Sequence, residues 1–507
     1  MRTLPSLAAT GLLVLSLGLA APASAHGDGE RNREVQTRLM AEDDTLLASG
    51  NVAHQSSVPL TPAGGGTVGI SGCFMETAPL LVTSGLESVT VWDVSDGTHP
   101  TRVGMLTNAV FENEAMSCGE RRTDAGTRRF SLIGVDLVDA AVDENGISHT
   151  NGGGNELVIV DVTDPADPRV LSSLASTTGT HTVSCVNGTD CRFAYSSGER
   201  DRFSIFDLRR LGRPREVDSN PARPGIQSFA SPSGGHKWNF DAAGYGTHTG
   251  YDGSSIFDVS RPRHPRLVTT TGAAGGAGEA AGRDGYNDFI HHNSFRPNAR
   301  RFRPGAPAAL ENGNVLLVTE EDYEQTDCAQ AGSFQTWKVR RLGGDRSAVA
   351  PLDKVELADL GNFPVPAGAF CSAHWFDYRP GGIVAVGYYG GGVQLLDVRD
   401  PRNIRSFGYA HWFASEVWDA MWLPRYDARG RQTGRDTNVV YAIDLVRGID
   451  VYSVDLPGGP TGTRPTTGTG GPRSVADAAA SGAVPIGVVG GGLALAYAVR
   501  RRARRSS

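Results

Sequence analysis

Short runs of alternating apolar and polar residues fill the middle of the chain, and one run recurs. Each copy ends on an Asp and one more apolar residue, and a turn with proline usually follows. It reads Val89-Thr90-Val91-Trp92-Asp93-Val94 ahead of His99-Pro100, and Leu157-Val158-Ile159-Val160-Asp161-Val162 ahead of Asp164-Pro165 and Asp167-Pro168. Further copies are Ser204-Ile205-Phe206-Asp207-Leu208, Ser255-Ile256-Phe257-Asp258-Val259 and Val393-Gln394-Leu395-Leu396-Asp397-Val398. Gln335-Thr336-Trp337-Lys338-Val339 and Ile449-Asp450-Val451-Tyr452-Ser453-Val454 are degenerate copies with Lys338 and Ser453 at the position of the Asp, bringing the count to seven.

The period of two and the β-branched and aromatic content predict a strand in every copy. The proline after it cannot donate to a central ladder, so it marks a turn. A second apolar run precedes several copies, as in Pro79 to Thr83, Val315 to Thr319, Ile383 to Gly387 and Val439 to Ile443. The unit is a short antiparallel meander that cannot bury its faces alone, so units must stack. Meanders repeated at roughly 45 to 80 residues, with no helical period between them, predict an all-β, seven-bladed β-propeller. A pair of β-sandwiches accounts for the strands but not for seven similar units. Long spacings place insertions at Gly119 to Gly154 and at Arg300 to Gly313. A closed ring needs a strand from one terminus to complete its last blade, and Asn51 to Leu60 is the expected one.

The run Leu157-Val158-Ile159-Val160-Asp161 resembles the signature of LVIVD-repeat propeller proteins of bacterial surfaces. The resemblance covers roughly Ile70 to Leu456 and rests on the repeat. It implies a propeller and an exported location, but no settled activity.

The ends of the chain set the expected compartment. Arg2, the apolar stretch from Leu7 to Ala21 and Ala23-Ser24-Ala25 form the three-part pattern of a secretory signal peptide, residues 1–25. Residues 26–50 then form a mature N-terminal segment, and 51–457 the propeller. Residues 458–482, rich in Gly, Thr, Pro, Ala and Ser, predict a flexible stalk. Residues 483–499 carry no charge, and about 17 residues is the lower limit for crossing a bilayer core. The arginines within 500–507 would hold that end in the cytoplasm. A single-pass protein on the outer face of a bacterial membrane is the expectation. The cell-wall sorting pentapeptide is missing, because Leu456-Pro457 continues as Gly458-Gly459-Pro460.

That topology changes the charge. The chain holds 48 basic and 55 acidic residues, a net of −7. Removing Arg2 and the five terminal arginines leaves 42 basic against 55 acidic residues outside, a net of −13. Such a surface is a poor match for nucleic acid. A monomeric ectodomain facing a cell-surface protein, a glycan or the cell wall is expected instead. Six cysteines in an oxidising space predict disulfides. Their positions at the openings of neighbouring units, and around the turn Asn187-Gly188-Thr189, predict Cys73–Cys118, Cys185–Cys191 and Cys328–Cys371.

Candidate chemistry lies in polar residues expected just ahead of the innermost strands: His181, His248, His291-His292, His374 and Asp419. Innermost strands converge on the central channel, so His181, His248, His292, His374 and Asp419 are expected to share one cavity at its mouth. Two readings stand. Such residues stitch neighbouring blades by hydrogen bonds, or they bind a transition metal ion, with His291, His292 and His374 as ligands. The array also resembles the selenium-binding or methanethiol-oxidase type of propeller at His291-His292, which implies a metal held by histidines. The acidic run Glu320-Glu321-Asp322-Tyr323-Glu324 offers oxygen ligands or a solvated loop. There is no P-loop, dinucleotide-binding fingerprint, HExxH or GxSxG motif. The chain therefore reads as a surface binding module or as a metal-dependent extracellular enzyme.

Overall fold

The computed structural model describes residues 45–457, apart from 59–69, 86–87, 108–114, 136–154, 189, 200, 273–285, 287–288, 323–330, 345, 362–370 and 414. The expected signal peptide, stalk, apolar span and basic tail lie outside the described residues. No helix among the described residues is long and apolar enough to cross a membrane.

Seven antiparallel sheets form the seven-bladed β-propeller. Blade 1 runs outward from the axis as Ser71–Phe74, Leu80–Ser84, Ser88–Asp93 and Thr101–Thr107. Blades 2 to 5 repeat this order within residues 117–175, 182–216, 235–270 and 290–355, and blades 6 and 7 occupy 376–412 and 417–454. The first strands pack against one another around the axis. Asn293 Nδ2 donates to the Phe376 carbonyl (3.2 Å) between blades 5 and 6.

The recurrent copies are the third strands, and the apolar runs before them are the second strands. The repeat Asp has a mechanical task. Asp93, Asp161, Asp207, Asp258 and Asp397 each accept from the backbone N–H two residues on, at 2.8–3.1 Å. That bond closes the turn after the strand.

Second and third strands are buried on both faces because each blade packs between two others. Val82, Val89 and Val91 face Ile133, Val158 and Val160 of blade 2. Their alternates Leu81 and Trp92 face Tyr441, Ile443 and Val451 of blade 7. Further apolar layers fill the interfaces between blades 2 and 3, 3 and 4, 4 and 5, 5 and 6, and 6 and 7. The core is thus a ring of inter-blade layers.

The terminus closes this ring. Val52–Val58 pairs with Gly448–Val454 as the outer strand of blade 7, on the segment expected for that role. Leu46–Ala48 adds a fifth strand to blade 6 against Trp412–Ala410, so the propeller begins ahead of the expected boundary at residue 51. The insertion expected over Gly119 to Gly154 needs correction. Ser117–Thr123 and Gly126–Val135 are the first two strands of blade 2, whose polar ends carry little apolar alternation. Arg300 to Gly313 is indeed a loop, between the first two strands of blade 5.

Cys73–Cys118 joins the innermost strands of blades 1 and 2, and Cys185–Cys191 spans the first hairpin of blade 3. Cys371 is also disulfide-bonded; Cys328, its expected partner, lies outside the described residues. Peptide mapping without reductant should recover the first two pairs. Removing Cys73–Cys118 by a double serine substitution should cost about 2–4 kcal/mol of stability, read by thermal unfolding.

Candidate metal centre at the head of the channel

Four histidines from four successive blades meet where the innermost strands begin. His181 immediately precedes Thr182–Cys185 of blade 3, and His236 is the second residue of Gly235–Phe240 of blade 4. His292 lies in Ile290–Phe295 of blade 5, and His374 stands two residues ahead of Phe376–Arg379 of blade 6. Glu321 ends the second strand of blade 5, Val315–Glu321.

The ring nitrogens converge on the Glu321 carboxylate. Nε2 of His236, His292 and His374 lies 3.9, 3.8 and 4.0 Å from its oxygens. His181 Nε2 is 3.2 Å from His236 Nε2. Among the described residues, His236, His292 and Glu321 form a trio whose donor atoms all lie within 4.8 Å of one another. Bonds of about 2.0–2.2 Å to one ion bring neighbouring ligand atoms to roughly 3 Å.

The surroundings fix these side chains. His374 Nδ1 donates to the Trp418 carbonyl (2.7 Å), which leaves Nε2 with its lone pair toward Glu321. A ligating histidine is commonly held this way, by a carbonyl on its other nitrogen. Tyr389 OH donates to Glu321 Oε1 (2.5 Å). Tyr389 has φ 47°, a left-handed conformation unfavourable for a side chain of this size. Its backbone is held there by a reciprocal pair of bonds with Val417. Strain of this kind concentrates at functional sites. The Trp375 ring packs beneath the imidazoles, with its centroid 4.0 Å from that of His292 and 5.1 Å from that of His374. Blade 4 delivers His236 through Gly234-Gly235, both at positive φ, and a Cβ on Gly235 would lie 2.1 Å from the Glu199 carbonyl oxygen.

The expected residues divide. His181, His292 and His374 belong to the cluster. His248 does not: it lies in the second strand of blade 4, stacks on Trp238 and bonds Ser197 Oγ and Ser231 Oγ, each at 2.6 Å. His291 points away, to Ser254 Oγ and the Tyr286 carbonyl, each at 2.8 Å. The irregularity of the ladder between His291 and Asn293 separates it from its neighbour. Asp419 is also displaced. It lines a channel cavity together with Trp375, rather than joining the histidines. His236 takes the place expected of His248. Counting back two strands from the blade 4 repeat reaches His236, whereas His248 is only one strand back. The acidic run is no solvated loop at its start, because Glu320, Glu321 and Asp322 are all buried.

Burial pushes the His248 imidazole down to about 3, so it stays neutral in the fold. In the unfolded chain it titrates near 6.5. A depressed folded value stabilises the fold fully above pH 6.5, and that contribution is lost as pH falls toward about 3. His248→Gln should therefore flatten the decline of Tm with acidification between pH 6.5 and 3, measured as Tm against pH.

The cavity of about 370 Å³ runs along the axis beside this site. Asp377, Asp419, Asp436, Lys237, Asn239, Trp375 and Trp422 are among its lining residues. The Lys237 ammonium sits 4.3 Å from the Trp375 ring centroid.

No family model matches the chain, and no curated protein does. Among solved structures, the Cps50 (Swd1) β-propeller domain of Myceliophteria thermophila aligns at 13% identity and TM-score 0.46, over 80% of this chain and 99% of that one. Raptor of Chaetomium thermophilum aligns at 13% identity and TM-score 0.43, over 77% of this chain and 28% of that one. At such values the similarity carries no argument about activity, and the seven closed sheets themselves define the fold.

Proposed function

We propose that the protein is a metal-dependent β-propeller of the cell exterior, with a first-row transition metal ion at the head of its channel. One observation carries this: imidazole Nε2 atoms from three successive blades are directed at one buried carboxylate, with a fourth, from His181, against His236 Nε2. Hydrogen bonds that only stitch blades would spread these side chains over separate partners, as His248 and His291 are spread. Imidazole suits zinc, copper, iron and nickel. Four nitrogen donors and a carboxylate exceed the four ligands of a structural zinc site, and favour an ion of higher coordination number with room for a small substrate. When bound, such an ion supplies Lewis-acid or redox chemistry. The chain's own residues hold it: His374 through its fixed tautomer, Glu321 through Tyr389, and the Trp375 ring by closing one side of the cluster.

A propeller is a binding platform in the general sense, with a channel and two faces formed by its loops. Export and anchoring belong to the same proposal. The leader-like start, the apolar stretch 483–499 and the arginines after it support them, as do disulfides, which persist in oxidising compartments.

Elemental analysis of full-length protein, extracted in detergent and loaded separately with each ion, tests the metal. About one ion per chain is expected after desalting. Failure of zinc, copper, iron(II), manganese and nickel alike to remain bound overturns the proposal.

A further inference from the structure

The arginines are not spread evenly over the ring. In a meander, the connections after first and third strands lie at one end of the blade, and the remaining connections at the other. The histidine cluster stands where the first strands begin, so connections after first and third strands form the opposite face. Over blades 3 to 7, among the described side chains, those connections carry sixteen arginines against six carboxylates. All of these arginines except Arg296 are exposed. The turn 208–214 of blade 3 holds Arg209, Arg210 and Arg213 and no acidic residue. The loop 296–314 of blade 5 presents Arg300, Arg301 and Arg303. On the histidine face the balance reverses over the same blades, with Glu199, Asp201, Asp252, Asp322, Glu356 and Glu416 in the connections.

The acidic total of the chain hides this separation. At the edge of the basic face, Asp207, Asp258 and Asp397 are each committed to their own turn, and Asp207 and Asp397 also pair with Arg209 and Arg399. Exposed pairs of this kind contribute little. A guanidinium therefore exchanges such a partner for a phosphate, which matches its planar fork. The positive charge lies across five blades rather than at one point, so an extended anionic surface answers it better than one small anion.

A second observation selects the surface. In blade 7 the third strand, Gly448–Val454, runs in the same direction as the first, so the chain leaves the ring at Val454 on the arginine face. Residues 458–482 and the apolar stretch 483–499 come next in the sequence. A Gly-rich coil as long as 458–482 spans about 25–30 Å.

We infer that the arginine face is a docking surface for anionic phospholipid headgroups, laying the propeller on its own membrane with the histidine face turned outward. The choice of lipid rests on the anchoring proposed above. The tether starts beside the arginines and holds them near the bilayer at high effective concentration, where a polybasic surface is attracted to anionic lipid.

Energy transfer from the tryptophans to a dansyl phospholipid, in full-length protein reconstituted into vesicles, tests the assignment. One set of vesicles is phosphatidylcholine, and the other an equal mixture of phosphatidylcholine and phosphatidylglycerol. At low salt, transfer should be greater in the mixed vesicles. It should fall to the phosphatidylcholine level in about 1 M salt, where the screening length is about 3 Å. Arg210→Glu, Arg213→Glu, Arg301→Glu and Arg303→Glu together should abolish the difference at low salt. The salt series on the unsubstituted protein decides the matter should that variant fail to fold. Flotation with phosphatidylcholine vesicles reads the anchor separately. A chain that does not float with them lacks the anchor, yet still shows the phosphatidylglycerol-dependent transfer when the arginine face docks, so the two readings fail independently. Equal transfer in both sets of vesicles, or a difference that survives high salt, overturns the inference. Binding of soluble polyphosphate with no response to phosphatidylglycerol also overturns it, and assigns the face to a soluble polyanion.

Discussion

His292→Gln combined with Glu321→Gln should leave the propeller folded and stripped of transition metal, with apparent affinity reduced by more than about 100-fold. Changes to groups that merely orient ligands cost about 10–100-fold, and this pair removes an imidazole and the carboxylate on which His236 and His374 also converge. Both replacements roughly conserve volume, so the layer against Trp375 stays filled. Tyr389→Phe is the finer probe. It removes one hydroxyl, the donor to Glu321 Oε1, and should weaken metal binding by about 10–100-fold. Elemental analysis and metal titration read both effects. An ion that binds only the folded state also adds stability. A chelator should therefore lower Tm in the unsubstituted protein and leave it unmoved in the double variant. Unchanged metal content in that variant would place the ion elsewhere.

Loss of the closing strand should be more severe still. Deleting Leu46–Val58 leaves the outer edge of Gly448–Val454 unpaired and removes the fifth strand of blade 6. An exposed edge of this kind is a template for association. The deletion should abolish the cooperative thermal transition and shift the protein into aggregates on size-exclusion chromatography. The same clasp can be weakened at one residue. Asp450 is 1% exposed and accepts from Arg447 Nε at 2.7 Å and from the Ser57 hydroxyl. Burial pushes its carboxyl up, but hydrogen bonds from His54 and Arg447 outweigh burial and hold it below its ordinary value of 3.8. Its contribution is thus present above pH 3.8 and is lost as pH falls through the folded value. Asp450→Ala leaves Arg447 without its buried partner and should cost about 3–5 kcal/mol, measured by denaturant unfolding near neutral pH. A cost below 1 kcal/mol would show that the clasp adds little to closure.

The sequence by itself determined the architecture, for a reason visible in the residues. Second and third strands are buried on both faces, so runs such as Leu157 to Val160 must be apolar throughout, and in five of the seven copies the repeat Asp closes the same turn. Stacking demands are identical around a ring, and identical demands write a repeat. The same local logic made the Cys73–Cys118 pairing and the closing role of the strand after Asn51 legible. First strands carry no such imprint. They line the channel, where polar residues serve, so offset from the repeat locates them poorly: it points to His248 where the first strand of blade 4 carries His236, and to an insertion where Ser117–Thr123 and Gly126–Val135 form strands.

Only the tertiary structure decided the site. His236 sits in a segment that reads like an ordinary strand end, and the acidic run around Glu321 offers either oxygen ligands or a solvated loop, so only the burial of Glu321 beside the imidazoles chooses between them. The irregular ladder at His291–Asn293 decides which of two adjacent histidines turns inward, and its cause is the register against Val315–Glu321, not the two side chains. Asp419 lies on the first strand of blade 7 but lines the cavity with Trp375 instead of meeting the histidines, because depth along the channel depends on how the blades are arranged around it. Convergence on an axis is a property of the closed ring, and no single segment of the chain contains it.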